Sequence, residues 1–92
     1  MQVTKQEVLL VIPTFRPTRS VISIIEKLKL TTIVSDDCSP VTFDPILREV
    51  SALPRTTVIR NSHNQGVARG LNQGLEFAAS HQFEWLLTVD QD

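Results

Sequence analysis

Apolar and polar positions alternate in blocks along this 92-residue chain. Val8-Leu9-Leu10-Val11-Ile12 is a continuous apolar run closed by Pro13. It is short and largely β-branched, which predicts a strand buried on both faces. Pro17 and Thr18 then open a helical pattern. Val21, Ile22, Ile25 and Leu28 share one stripe of a helix running to about Lys29. Thr31–Ser35 predicts a second strand, running into the polar cluster Asp36-Asp37-Cys38-Ser39-Pro40. Asp44 and Pro45 predict a helix start, with Asp44 as N-cap and Pro45 at the first helical position. Ile46, Leu47, Val50 and Leu53 form its apolar side, and Pro54 ends it. Thr56–Ile59 predicts a third strand, followed by a loop over Arg60–Gly66. A helix over Val67–Ser80 follows, with Val67, Leu71, Leu75 and Ala78 as its stripe. Phe83–Val89 predicts a fourth strand, and the sequence closes on Asp90-Gln91-Asp92.

The order is βαβαβαβ. Strands alternating with helices predict right-handed crossovers and an α/β, three-layer αβα fold with a mostly parallel sheet. In such sheets a ligand lies beyond the carboxyl ends of the strands, where the strand order reverses. The polar clusters Thr14–Arg16, Asp36–Ser39, Arg60–Gly66 and Asp90–Asp92 each follow a predicted strand. All four are therefore expected on one rim of the sheet.

Composition narrows the function. Hydrophobic residues make up 41% and charged residues 21%, an ordinary globular balance. Nine Lys and Arg against ten Asp and Glu leave a net charge of -1, with no basic excess for nucleic acid or an anionic membrane. Cys38 is the only cysteine, which excludes an internal disulfide and a Cys-ligated metal cluster. No apolar run is long enough to span a bilayer or form a signal-peptide core. The expectation is one cytoplasmic domain over residues 1–92.

The rim carries Asp36, Asp37, Asp90 and Asp92 beside Arg16, Arg60 and Arg69. Asp-x-Asp at a strand end suits magnesium or manganese, which prefer oxygen ligands and share their shell with water and substrate phosphates. Guanidinium groups can neutralise the rest of a diphosphate's charge. Asp36 or Asp37 could accept a hydrogen bond from a base N–H. Asn64-Gln65-Gly66 precedes a helix N-terminus, whose free N–H groups favour an anion or a polar ring edge. Each element also has a plainer reading: a turn, a solvated charge, or a frayed end. Gly70 and Gly74 sit inside a predicted helix, where each costs about 1 kcal/mol against alanine. Close helix–sheet packing or a ligand's approach would explain them.

Four segments occur in a familiar order: Val-Ile-Pro-Thr-Phe (11–15), Val-Ser-Asp-Asp-Cys-Ser (34–39), Asn-x-x-Asn-Gln-Gly-Val-Ala-Arg-Gly-Leu-Asn-Gln-Gly (61–74) and Leu-Leu-Thr-Val-Asp-Gln-Asp (86–92). Together they resemble the N-terminal half of family 2 glycosyltransferases, which have the GT-A fold, and most of all the bacterial rhamnosyltransferase branch. The resemblance implies a nucleotide-diphosphate sugar donor such as a dTDP- or UDP-sugar, a divalent cation, and a glycan or lipid-linked acceptor. It implies that Pro13, Thr14 and Phe15 line the nucleoside pocket, that Asp36 contacts the base and that Asp37 supports it. Asn64, Gly66, Arg69 and Asn72 would line the donor pocket. Asp90 and Asp92 would form the metal-binding Asp-x-Asp pair. Phe15-Arg16 stands where the family usually has Tyr-Asn, and Cys38 where it usually has glycine. The latter predicts a different turn, since glycine alone enters positive φ freely.

Inverting members place a carboxylate base, and the acceptor site, well downstream of Asp-x-Asp. The chain is therefore expected to act as a donor-binding half, inactive alone and, in a longer protein, peripheral to the inner membrane. Residues 85–89 would form an exposed apolar strand prone to self-association. A receiver-like signalling module is the alternative, but it needs paired acids after the first strand, where Thr14-Phe15 stands. A sugar-nucleotide pyrophosphorylase needs a glycine-rich loop at the same point. A bare interaction domain, its rim acids merely solvated, completes the set.

Overall fold

The computed structural model describes residues 7–91. Four strands alternate with three α-helices: β1 Val8–Thr14, α1 Ser20–Leu28, β2 Thr31–Asp36, α2 Asp44–Ser51, β3 Thr56–Arg60, α3 Val67–Ser80 and β4 Trp85–Thr88. The strands form one sheet in the order β3-β2-β1-β4, and every pairing is parallel. The sheet is thus wholly rather than mostly parallel. Right-handed crossovers place α1 and α2 on one face and α3 on the other.

β1 is the centre of both cores. Leu9, Leu10, Val11 and Ile12 are all fully buried. Leu10 and Ile12 pack with Val21, Ile22 and Ile25 of α1, Val34 of β2 and Val50 of α2. Leu9 and Val11 pack on the opposite face with Ile33 and Ala78. Burying a large aliphatic side chain contributes about 1.5–3 kcal/mol, so this strand anchors the domain.

Pro13 does not end β1, which continues to Thr14. The Val11 carbonyl accepts from Val89 N–H, and the Thr14 carbonyl from Asp37 N–H. Odd-numbered residues of β1 therefore direct their backbone groups towards β4, and even-numbered ones towards β2. The β4 ladder stops at Val11. Proline's missing N–H thus falls where no strand acceptor awaits it.

The helices depart from expectation in instructive ways. α1 begins at Ser20 rather than at Pro17-Thr18, and it ends at Lys29, which is left-handed (φ 54°) and donates its N–H to Ile25 O. α2 is entered through a 3₁₀ turn, Val41–Phe43. Phe43 takes the N-cap place, and Asp44 lies inside the first turn with no capping bond. The Asp44 carboxylate instead accepts from Arg60 Nη2 at 2.6 Å. α3 spans the predicted residues, but of the expected stripe only Ala78 belongs to its buried face. Val67 and Leu75 are 61% and 57% exposed, whereas Gly70, Gln73, Gly74 and Ala78 face the sheet. Backbone approach decided this. A Cβ on Gly74 would lie 2.5 Å from Val11 Cγ2, and one on Gly70 3.1 Å from Ser35 Oγ. Small residues let the helix sit close to β1 and β2, and the larger side chains are turned outward.

Arg19 of the loop before α1 pairs with Glu49 of α2 at 3.0 Å. The guanidinium holds the Glu49 carboxyl below its ordinary range. Such a lowered group favours the fold above the normal carboxylate titration, and the benefit is lost as pH falls through its own lower value. Both side chains are well exposed, so salt screens most of the effect.

Candidate functional site

The chain runs outward from β1 through β2 to β3, then crosses back to place β4 on the other side of β1. The reversal lies between β1 and β4, beyond their carboxyl ends. A cavity of about 260 Å³ opens there, near the lower end of small-molecule sites. Its wall draws on four segments: Pro13, Thr14 and Phe15 after β1; Ser35 and Asp37 at the end of β2; Gly66, Val67 and Gly70 at the start of α3; and Asp90 with Gln91 after β4. Stretches distant in sequence thus meet on one ledge.

The two acids after β2 divide their work. Asp36, expected to meet a base, has no exposed surface. Its carboxylate accepts from Thr14 Oγ1 at 2.8 Å, Ser39 Oγ at 2.6 Å and Ser39 N–H at 2.9 Å. It ties the β1 loop to the β2 loop beneath the cavity. Asp37 takes the place on the wall. Its two oxygens accept the backbone N–H groups of Gln65 at 2.6 Å and Gly66 at 3.1 Å, which draws the entrance of α3 towards β2. Gly66 has φ 83° and ψ 170°, a conformation that side chains disfavour and that lets the chain swing directly into the helix.

The turn after β2 enters the left-handed region without a glycine. Cys38 itself is left-handed, with φ 63°. The Asp36–Ser39 bonds close the turn around it, and its thiol reaches Ser62 O at 3.4 Å. Beneath the cavity, Gln73 Nε2 donates to Asn61 Oδ1 at 2.8 Å, and Asn61 Nδ2 donates to Ser35 Oγ at 3.3 Å. Ser35 Oγ in turn donates to Gln73 Oε1, so a closed polar triangle fixes α3 against β2.

Not every candidate reaches the cavity. Asn64, Arg69 and Asn72 are exposed and stand off its wall. Arg69 borders a shallow groove between α3 and β3, with Ile59 and Phe77. Arg60 is engaged by Asp44. Arg16 lies beside the cavity mouth, its guanidinium 5.4 Å from the centroid of the Phe15 ring. Asp92 lies outside the described residues. Among the described residues no three His, Cys, Asp or Glu side chains gather as a metal cluster. Ser35, Val67 and Gln91 were not singled out in the sequence. The glycine at position 70 was, and it serves both packing and the cavity wall.

Fold and site together define an α/β protein with a ligand cavity at the strand-order reversal of a parallel sheet. The model of the family described as glycosyl transferase family 2 matches residues 10–92, and the chain belongs to that family. It is therefore a glycosyltransferase-type domain. An uncharacterized protein of Methanocaldococcus jannaschii is similar, at 28% identity over 88 residues, covering 89% of this chain and 38% of that protein. The chain thus spans about two-fifths of the length of the curated relative it matches. No solved structure matches.

Proposed function

We propose that this chain binds the nucleotide-diphosphate sugar of a glycosyltransferase, as the donor half of the GT-A fold, and leaves transfer to residues outside it. The observation that carries the reading is the cavity, where Pro13, Thr14, Phe15, Asp37, Gly66 and Asp90 converge at the strand-order reversal. The apolar wall from Pro13, Phe15 and Val67 suits a nucleoside, and the N–H groups of Val67 and Ala68 in the first turn of α3 suit the phosphates. Asn64 precedes the α3 entrance, where a sugar extending from the cavity would meet it; Arg69 and Asn72 lie further along α3, off the cavity wall. On this reading the donor is a dTDP- or UDP-sugar, and the sugar passes to a glycan or lipid-linked acceptor at the cytoplasmic face of a membrane during polysaccharide synthesis. A rhamnosyl donor fits the Asp-Gln-Asp ending.

Magnesium or manganese often binds through one or two carboxylates and completes its shell with substrate phosphates and water. Asp90 on the cavity wall meets that requirement, and Asp92 two residues on would join it. When bound, the cation neutralises the charge of the diphosphate. Calorimetric titration with UDP, dTDP and GDP, with and without manganese, tests the proposal. Asp90→Asn is expected to weaken manganese-dependent nucleotide binding at least about tenfold, while Asp44→Asn, which touches only Arg60, leaves it unchanged. Wild-type protein that takes up no nucleotide, or an Asp90→Asn variant that binds normally, would overturn the reading.

The same proposal extends to a second copy of the chain. β4 pairs on one side only, and Trp85 and Leu87 are 53% and 40% exposed. Antiparallel pairing of two β4 strands about Leu86 would set each Trp85 opposite a Leu87 and keep Glu84 away from Asp90. Sedimentation velocity is expected to show a dimer that grows with concentration, and Leu87→Lys to disperse it. A wild-type monomer at high concentration would refute this pairing.

A further inference from the structure

β4 is short, and its ladder with β1 ends at Thr88. One further bond, Val89 N–H to Val11 O at 3.2 Å, carries the chain just past it. Such a strand end frays unless something holds it. Two hydrogen bonds do so. Gln91 Nε2 donates to Phe15 O at 2.8 Å, and Ser20 Oγ donates to Gln91 O at 2.6 Å. Both partners belong to the opposite end of the chain, in the β1–α1 connection. Phe15 O can only accept, so the amide nitrogen of Gln91 faces it and the oxygen turns away. That oxygen, Oε1, is buried and has no partner among the described residues. Gln91 forms part of the cavity wall.

We propose that Ser20 and Gln91 form a positioning clamp that fixes Asp90 against the nucleoside wall. The proposal rests on the donor-binding reading above. Asp90 sits next to the clamped residue, so the clamp sets where its carboxylate stands relative to Thr14 and Phe15. Ser20 is exposed, lies at the start of α1 and does not touch the cavity. Its own neighbour is Thr18, whose hydroxyl is 2.7 Å away. Any effect of Ser20 on binding must therefore pass through Gln91.

The test compares wild type, Ser20→Ala, Gln91→Met and Gln91→Glu by two readouts. Amide hydrogen exchange of residues 89–91 reports the clamp without any ligand. Manganese electron paramagnetic resonance, with UDP as the probe, reports binding. Ser20→Ala is expected to speed exchange at 89–91 and to weaken manganese–UDP binding about fivefold, the factor that follows from losing one hydrogen bond, with the thermal midpoint unchanged. Gln91→Met is expected to weaken binding further. Gln91→Glu, which likewise loses the donor to Phe15, is expected to bind no better than Gln91→Met. Unchanged exchange at 89–91 in Ser20→Ala overturns the clamp. Gln91→Met with wild-type affinity overturns the effect of the clamp on binding. Wild-type protein that does not bind manganese–UDP overturns the donor-site reading, while the exchange comparison still decides the clamp.

Discussion

Asp36→Ala is expected to lower the stability of the domain by about 3 kcal/mol, because it strands buried donors that each cost about 1–3 kcal/mol when unpaired. The donors are Thr14 Oγ1–H, Ser39 Oγ–H and Ser39 N–H, and all three converge on one carboxylate with no surface of its own. Small domains have only about 5–15 kcal/mol to lose. Urea unfolding should show a large drop in midpoint with little change in slope. A loss below about 1 kcal/mol would mean that water or a rearranged loop replaces the carboxylate. The same residue holds the turn that carries Asp37, so the variant should also lose nucleotide binding even where it remains folded.

Gly74→Val is the second large effect. Its first added carbon would lie 2.5 Å from Val11 Cγ2 and 3.0 Å from Val11 Cγ1. Val11 is fully buried in the central strand and has no room to turn away. The helix must lift from the sheet, and overpacking of this kind costs about 1–3 kcal/mol, occasionally more. Gly74→Ala meets the same contact but regains about 1 kcal/mol of helix propensity, so its net loss should be smaller. Thermal unfolding of the pair separates the two contributions. A stabilised Gly74→Ala would show that α3 sits farther from β1 than described.

What could be read from the sequence follows from which forces act locally. The apolar runs of β1 and β2 announce themselves because both faces of the central strands are buried. The three helices are legible from punctuation and spacing. The face that α3 buries is not, because apolar spacing favours Val67 and Leu75, while the closeness of helix to sheet is set by Gly70 and Gly74. Pro13 reads as a stop because the sequence cannot reveal that its missing N–H faces the side where β4 has already ended. Asp44 reads as a cap until Arg60, from the next strand, is seen to occupy it. At the site, the convergence of the four loops was legible from strand order alone. The division between a buried Asp36 and a wall-lining Asp37 was not, since one residue's step along a strand end decides which acid turns inward. Gln91 was hidden for a similar reason: its role depends on contacts with Phe15 and Ser20, near the other end of the chain.

The position of β1 in the sheet has a consequence for how the molecule comes together. β1 can pair with β2 after closing a short loop, and β3 can add to β2 in the same way. β4 reaches β1 only by closing the whole stretch from β1 to β4, the step that topology makes slowest. The cleft takes part of its wall from the residues after β4, so it takes shape last. During synthesis, a ribosome-bound chain lacking β4 would already hold most of its apolar interior yet have nowhere for a nucleotide to settle.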